Sequence, residues 1–221
     1  MIARSLISPS ILPLHDSMTE KEAKSKMNSY RLFHLPVVNK HNIFLGLLAE
    51  EDIINASKTT ILSKHPEKFF DGKVYAHQHI FEIYDFIFTQ NVSCVAVVDD
   101  KNFCLGVITC TDLMKYFGKI SGLQNRGAII ILTVLVQDYN LSQISRIIEE
   151  NDAKIVSLYS NSNEDSTKMD VILKLNTHEI SSILQSFNRF NYTVKTYFEG
   201  YDKLQEMYKN RIDSLLNYLN I

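Results

Sequence analysis

Residues 32–54 read Leu-Phe-His-Leu-Pro-Val-Val-Asn-Lys-His-Asn-Ile-Phe-Leu-Gly-Leu-Leu-Ala-Glu-Glu-Asp-Ile-Ile, and residues 92–114 read Val-Ser-Cys-Val-Ala-Val-Val-Asp-Asp-Lys-Asn-Phe-Cys-Leu-Gly-Val-Ile-Thr-Cys-Thr-Asp-Leu-Met. An offset of 60 superposes Val37 on Val97, Val38 on Val98, Leu45 on Leu105, Gly46 on Gly106 and Asp52 on Asp112 without a gap. A repeat of this kind decides the architecture before any single element does, because each copy is one supersecondary unit that cannot bury its apolar face alone.

Working outward, each copy reads as strand–helix–strand–strand–helix. In the first, Ser17-Met18-Thr19-Glu20 fits a capping box, so a helix is expected from Ser17, with Ala23 and Met27 on one apolar face. Two β-rich runs, residues 35–39 and 43–48, flank a polar turn. Ala49-Glu50-Glu51-Asp52 then opens a second expected helix, its acids suited to the positive end of the dipole. Residues 58–72 connect the copies. In the second copy a strand near Val74-Tyr75-Ala76 precedes a helix with Ile80, Ile83, Tyr84 and Ile87 at helical spacing. A hairpin over residues 94–99 and 103–109 follows, then a helix from Thr111-Asp112.

A different unit begins after residues 120–127. Residues 128–136 form a continuous apolar, β-branched run suited to a central strand. Leu141, Ile144, Ile147 and Ile148 mark a helix, residues 154–159 and 169–175 two strands around a polar loop, Ile180, Ile183, Leu184 and Phe187 a second helix, and residues 192–198 a fourth strand. That order is βαββαβ, the ferredoxin-like pattern. Leu204, Tyr208, Ile212, Leu215 and Leu219 give a C-terminal helix one apolar stripe that needs a docking partner.

Composition is ordinary globular, with 45% hydrophobic and 22% charged residues. A net charge of −2 lacks the basic footprint of nucleic-acid binding, and no apolar run is long enough for a membrane span. Cys94, Cys104 and Cys110 are an odd count without CxxC spacing, so reduced, buried thiols are expected. With no secretory leader in sight, a cytoplasmic location is expected. There is no GxSxG, HExxH, phosphate loop or glycine-rich dinucleotide fingerprint, and the chain is expected not to be an enzyme. His77-Gln78-His79 would place two histidines on one side of a strand without a third ligand, so no metal site is expected.

Both copies resemble cystathionine-β-synthase (CBS) domains, whose recurring features are an x-Pro-Val-Val-Asp strand and a Gly-h-h-Thr-x-x-Asp turn into a helix. The resemblance covers about residues 6–119. Gly106-Val107-Ile108-Thr109-Cys110-Thr111-Asp112 fits the second motif in full, whereas Gly46-Leu47-Leu48-Ala49-Glu50-Glu51-Asp52 has alanine in place of threonine. Leu35-Pro36-Val37-Val38 fits the first motif, and Ala96 replaces its proline in the second copy. Residues 128–198 resemble an ACT-type regulatory domain by topology, with Asn140-Leu141 where such domains carry Gly-Leu. The whole order is similar to the acetoin-utilisation B type of regulatory protein.

The implied fold is α+β: tandem CBS repeats (a Bateman module) over 1–60 and 61–119, a linker at 120–127, an ACT-like unit over 128–199 and a C-terminal helix over 200–221. The resemblance implies an adenosine nucleotide between the repeats. Asp112 would accept the ribose hydroxyls, Thr109 and Thr111 would face a phosphate, and Ile11-Leu12 with Leu32-Phe33-His34 would frame the adenine. The same Thr111 and Asp112 cap a helix equally well with no ligand. A degenerate second site would use Asp52 with Val92-Ser93-Cys94, and Glu50 and Glu51 would repel phosphate there. The expected regulatory ligand is AMP, ADP, ATP or S-adenosylmethionine, none of them an obligatory cofactor. The expected assembly is a homodimer acting on a partner, with no nucleic acid and no membrane. The alternative is a ligand-free structural adaptor working through CBS and ACT-like dimerisation.

Overall fold

The computed structural model describes residues 1–55, 58–162, 166–199 and 214, in two compact units, Met1–Phe117 and Gly118–Ile221. The expected C-terminal helix over 200–221 lies outside the described residues apart from Ser214.

In the first unit, β1 (Leu14–His15), α1 (Glu20–Tyr30), β2 (His34–Val38), β3 (Phe44–Ala49) and β4 (Phe69–Phe70) make up the first copy. The second consists of β5 (Lys73–Tyr75), α2 (Ile80–Gln90), β6 (Cys94–Val98), β7 (Cys104–Thr109) and α3 (Cys110–Ile120). The sheets are ordered β1-β2-β3-β4 and β5-β6-β7. The repeat extends to register. Leu35 pairs with Leu48 and Val95 with Ile108, and each hairpin is irregular at the same place, between Val37 and Val38 or between Val97 and Val98. Residues 69–70, within the stretch read as a connection, add β4 to the edge of β3.

Both copies contribute to one core. Leu35, Leu48 and Ile53 lie in the same buried cluster as Val95, Ile108 and Leu113. A sheet of three or four short strands has one apolar face to cover, and here each sheet is the cover for the other. The hairpin turns meet as well. Asn42 and Asn102 both adopt left-handed backbone, at φ 59° and 64°. Asn42 Nδ2 donates to the Cys104 carbonyl at 2.7 Å and Asn102 Nδ2 to the Phe44 carbonyl at 2.9 Å. The amides of Phe44 and Cys104 return the exchange to the carbonyls of Asn102 and Asn42. Asparagine tolerates the left-handed region and carries a donor long enough to cross to the other copy.

Two helix starts differ from expectation. The capping box of α1 is made by Thr19 and Glu22 rather than Ser17 and Glu20. Glu20 is instead buried and paired with Lys68 at 2.7 Å, while the Met18 carbonyl accepts the Leu62 amide, so the chain before Thr19 is held out of the helix. The helix expected from Ala49 is one 3-10 turn, Glu50–Ile53.

The second unit runs β8 (Ile129–Leu135), α4 (Leu141–Glu149), β9 (Ile155–Ser162), β10 (Lys168–Leu175), α5 (Ser181–Arg189) and β11 (Thr193–Phe198). Its sheet order is β11-β8-β10-β9 with every pair antiparallel, the ferredoxin-like topology. Ile130, Leu132, Val171 and Leu173 pack with Ile144, Ile148, Ile183 and Phe187. Strand β8 is central as expected, but its residues alternate between buried and half-buried, the pattern of a sheet with helices on one face. Gly127, just before it, has φ 150°, and a Cβ there would lie 2.0 Å from the Leu175 carbonyl oxygen.

If the crossed asparagines hold the hairpins together, Asn102→Ala costs about 2 kcal/mol, combining a lost hydrogen bond with a strained left-handed alanine. Asn102→Gly, which removes the bond but not the backbone freedom, costs visibly less. Urea denaturation of the three proteins ranks them, and an Asn102→Ala midpoint equal to that of the unchanged protein refutes the cross-copy bond.

Candidate functional site

The turn that ends β7 is closed by a reciprocal cap. The Thr109 amide and hydroxyl donate to Asp112 Oδ2 at 3.1 and 2.7 Å, and the Asp112 amide donates back to Thr109 Oγ1 at 3.1 Å. This satisfies amides that a helix start otherwise leaves open, and α3 continues for 11 residues. Asp112 Oδ1 and the exposed Thr111 hydroxyl make no hydrogen bond among the described residues. One carboxylate oxygen therefore holds the turn while the other can accept from a ligand.

At the matching position of the first copy, Ala49 has no oxygen to cap with, and no side chain caps the turn. Its missing hydroxyl accounts for the 3-10 turn in place of the expected helix. Asp52 is exposed and makes no hydrogen bond or ion pair with any described residue. Electrostatically the turn presents three consecutive carboxylates, Glu50, Glu51 and Asp52.

Between these turns the copies are sewn together by His34 and Ser93. The Phe33 and His34 amides donate to Ser93 Oγ at 3.2 and 3.0 Å, and the Ser93 amide donates to His34 Nδ1 at 3.2 Å. Cys94 Sγ donates to the His34 carbonyl. With Nδ1 accepting, the network assigns a neutral ring protonated at Nε2. Burial pushes the His34 pKa below the ordinary histidine value, and the carboxylates of Glu51 and Asp52 offset part of that. A cavity of about 550 Å³ opens beside this seam, lined by Phe33, His34, Phe70 and Val92 as well as the acids Glu50, Glu51 and Asp52. Phe70 stands edge-on to the His34 ring, with centroids 6.0 Å apart.

The structure thus regroups the expected site residues. Phe33 and His34, expected to frame an adenine at Thr109, Thr111 and Asp112, line the cavity with Asp52 instead. The reason is a backbone bond: the Phe33 carbonyl accepts the Glu50 amide at 2.8 Å, as Ser93 accepts Cys110 in the other copy, so each turn is tied to the strand entry of its own copy. Ile11 and Leu12 line a separate cavity of about 410 Å³ with Cys104, Leu105 and Gly106, at the opposite end of β7 from Thr109. Leu32 packs half-buried against the shared core. Val92 does line the cavity with Asp52, and Ser93 and Cys94 form the seam behind it. Phe70, Gln90 and Asn91 also line that cavity without having been expected there. Asn91 has one legible signal, since it ends α2 in left-handed backbone just as Arg31 ends α1, at the same offset.

The remaining candidates take structural roles. His79 caps α2 and His77 stacks on Tyr75, so the two histidines sit in a turn after β5 rather than along a strand. No group of three His, Cys, Asp or Glu side chains suited to a metal occurs among the described residues. Burial raises the pKa of all three cysteines, the opposite of what a nucleophilic thiolate requires. Asn140 caps α4 through its Oδ1, which accepts the Gln143 amide at 3.1 Å. No described helix is long and apolar enough to cross a membrane.

Against known proteins, the CBS domain family model matches residues 3–59 and 73–119. A curated relative, L-aspartate semialdehyde sulfurtransferase of Methanocaldococcus jannaschii, is 27% identical over 124 residues, 53% of this chain. The chain spans 23% of that relative's length. Similar solved structures include a CBS domain pair/ACT domain protein from Thermotoga maritima, with 16% identity, a TM-score of 0.49 and coverage of 54% of this chain and 98% of that one. Another is a candidate acetoin utilization protein (AcuB) from Vibrio cholerae, with 20% identity, a TM-score of 0.47 and coverage of 56% and 95%.

Two outcomes follow from this geometry. Thr109→Ala, which deletes the cap of α3, lowers stability by about 1 kcal/mol in urea denaturation; an unchanged midpoint means the cap is not needed. His34 is held neutral in the folded chain, so the unfolded chain takes up its proton first. Its contribution is present above the ordinary histidine range and is lost as pH falls through and below it. Stability measured between about pH 7 and pH 5 therefore drops more steeply for the unchanged protein than for His34→Asn, and parallel curves would remove His34 from the account.

Proposed function

We propose, from a first unit built of two CBS domains, that the chain is a cytoplasmic regulatory protein rather than an enzyme. Its pair takes up an adenosine compound, and the resulting change in packing between the copies reaches a partner. The observation that carries this reading is the cavity of about 550 Å³ at the inter-copy seam. Its volume lies within the range of small-molecule sites, and residues of both copies line it. A ligand seated against His34 touches the very bonds that join the copies. It shifts their packing by as much as its affinity differs between the two arrangements, and no more.

The charges divide the two turns by ligand chemistry. Glu50, Glu51 and Asp52 disfavour a phosphate by like-charge repulsion, and Phe33 and Phe70 offer apolar ring surface. This cavity suits adenosine or S-adenosylmethionine, the latter through its cationic sulfonium and amine. At the turn of Thr109, Thr111 and Asp112 the exposed Thr111 hydroxyl can donate to a phosphate and Asp112 Oδ1 can accept from ribose hydroxyls, which suits AMP, ADP or ATP. The second unit, ACT-like in strand order, is the element that would relay the change.

Thermal unfolding with each of these five compounds at about 100 times its dissociation constant adds about 2.7 kcal/mol of stability where it binds. Adenosine and S-adenosylmethionine are expected to raise the midpoint in a manner lost on Asp52→Ala, and the phosphorylated compounds in a manner lost on Asp112→Ala. A midpoint unmoved by all five sinks the sensing reading and leaves the ligand-free adaptor.

A further inference from the structure

The cavity of about 410 Å³ at the other end of β7 is lined by Ile7, Ile11, His15, Lys26 and Leu105, among others, and by no residue of the Ala49–Asp52 or Thr109–Asp112 turns. The repeat explains why that space is there. At the offset of 60, Lys26 of α1 matches Phe86 of α2, Cys104 matches Phe44, and Pro13 matches Lys73. In the matching region Phe44 is buried, Lys73 Nζ lies over its ring at 5.7 Å from the centroid, and Phe86 packs against the shared core. Two rings fill one side of the module. On the other a thiol and an ammonium stand in their places, and a close-packed interior loses volume there that its neighbours recover only in part.

Lys26 is the charge at this cavity. It is half-buried, its Nζ donates to the Pro13 carbonyl at 2.8 Å, and no carboxylate pairs with it among the described residues. Lys73, on the filled side, has Asp71 Oδ1 at 3.3 Å as well as the Phe44 ring. Burial lowers the Lys26 pKa, because a cation held partly out of water has only a neutral oxygen to offset the lost hydration. An ammonium carries three donors, so two remain for an anion. Ser8 and His15 add a hydroxyl and an imidazole to the lining, and the aliphatic chains of Ile7, Ile11 and Leu105 make much of the rest. One lysine among apolar side chains matches a single negative charge on an apolar body. A doubly charged phosphate would leave charge uncompensated there.

We propose that this cavity binds a small monocarboxylic acid, its carboxylate on Lys26 Nζ and its apolar body against Ile7, Ile11 and Leu105. The site is separate from both turns and does not depend on adenosine binding. The test titrates the ¹⁵N-labelled full-length chain with phenylacetate and with its uncharged isostere phenylacetamide, following the backbone amides by NMR. Phenylacetate is expected to give saturable shifts at the Leu12 and Leu105 amides, unchanged by Asp52→Ala or Asp112→Ala. Lys26→Met is expected to weaken binding about tenfold, the worth of a hydrogen bond to a charged group. Lys26→Arg, which keeps the cation, retains binding, and thermal unfolding checks that each variant is folded. Equal binding of phenylacetamide, unchanged affinity in folded Lys26→Met, or no saturable shift with phenylacetate overturns the proposal. So do shifts centred on Phe33 and His34, which place the acid in the other cavity.

Discussion

Neither copy of the repeat has a core of its own, and every other feature of the first unit depends on that. Leu35 and Leu48 need Val95 and Ile108 opposite them, because two small sheets that face each other exclude water from apolar surface neither could hide alone. The hydrogen bonds across the seam add position to that non-directional force. Ser93 with His34 on one side, and the crossed asparagines on the other, leave the sheets one register in which their polar groups are satisfied. The half-buried His34 ring at this junction accepts the Ser93 amide through Nδ1, so a proton taken up there would break a bond between the copies.

Duplication gave two turns of the same design, and they have diverged chemically. Thr109 and Asp112 satisfy each other, so the second copy begins a full helix with one carboxylate oxygen to spare. Ala49 cannot do this, and the first copy settles for a single 3-10 turn whose three acids line the larger cavity. The loss of one hydroxyl therefore changes both the local backbone and the charge offered to a ligand. The outer helix faces have diverged as well, aromatic in the second copy and polar in the first, although the buried Ala23 and Met27 of α1 match the buried Ile83 and Ile87 of α2, and only Glu20, at the place of Ile80, is charged. Core positions are constrained by packing against the partner copy; surface positions were free to acquire separate uses.

In the second unit a ferredoxin-like sheet covers one face with α4 and α5. On that sheet Asp170, nearly buried, accepts from the Thr133 hydroxyl and Lys195. A carboxylate so placed is tolerable because it is paired and hydrogen-bonded. The Asn140 side chain accepts the Gln143 amide, so the start of α4 is committed to its own helix.

The sequence by itself determined the repeat, its offset, the pairing of each hairpin and the strand order of the second unit. These are local or periodic properties: alternation fixes which face of a strand is buried, and a preserved spacing carries register from one copy to the other. Tertiary structure alone decided which residues share a cavity. Phe33 and His34 join Asp52 because the Phe33 carbonyl takes the Glu50 amide, and Ile11 falls at the other end of β7, neither of which any spacing encodes. Phe70 was illegible for the same reason, since its place depends on a two-residue edge strand formed only when β3 is already present. The start of α1 lies at Thr19 rather than Ser17, because Glu20 is buried against Lys68 and cannot reach back to close a cap on Ser17. Side-chain type is written locally, but which side chains become neighbours is fixed by the packing of the two copies.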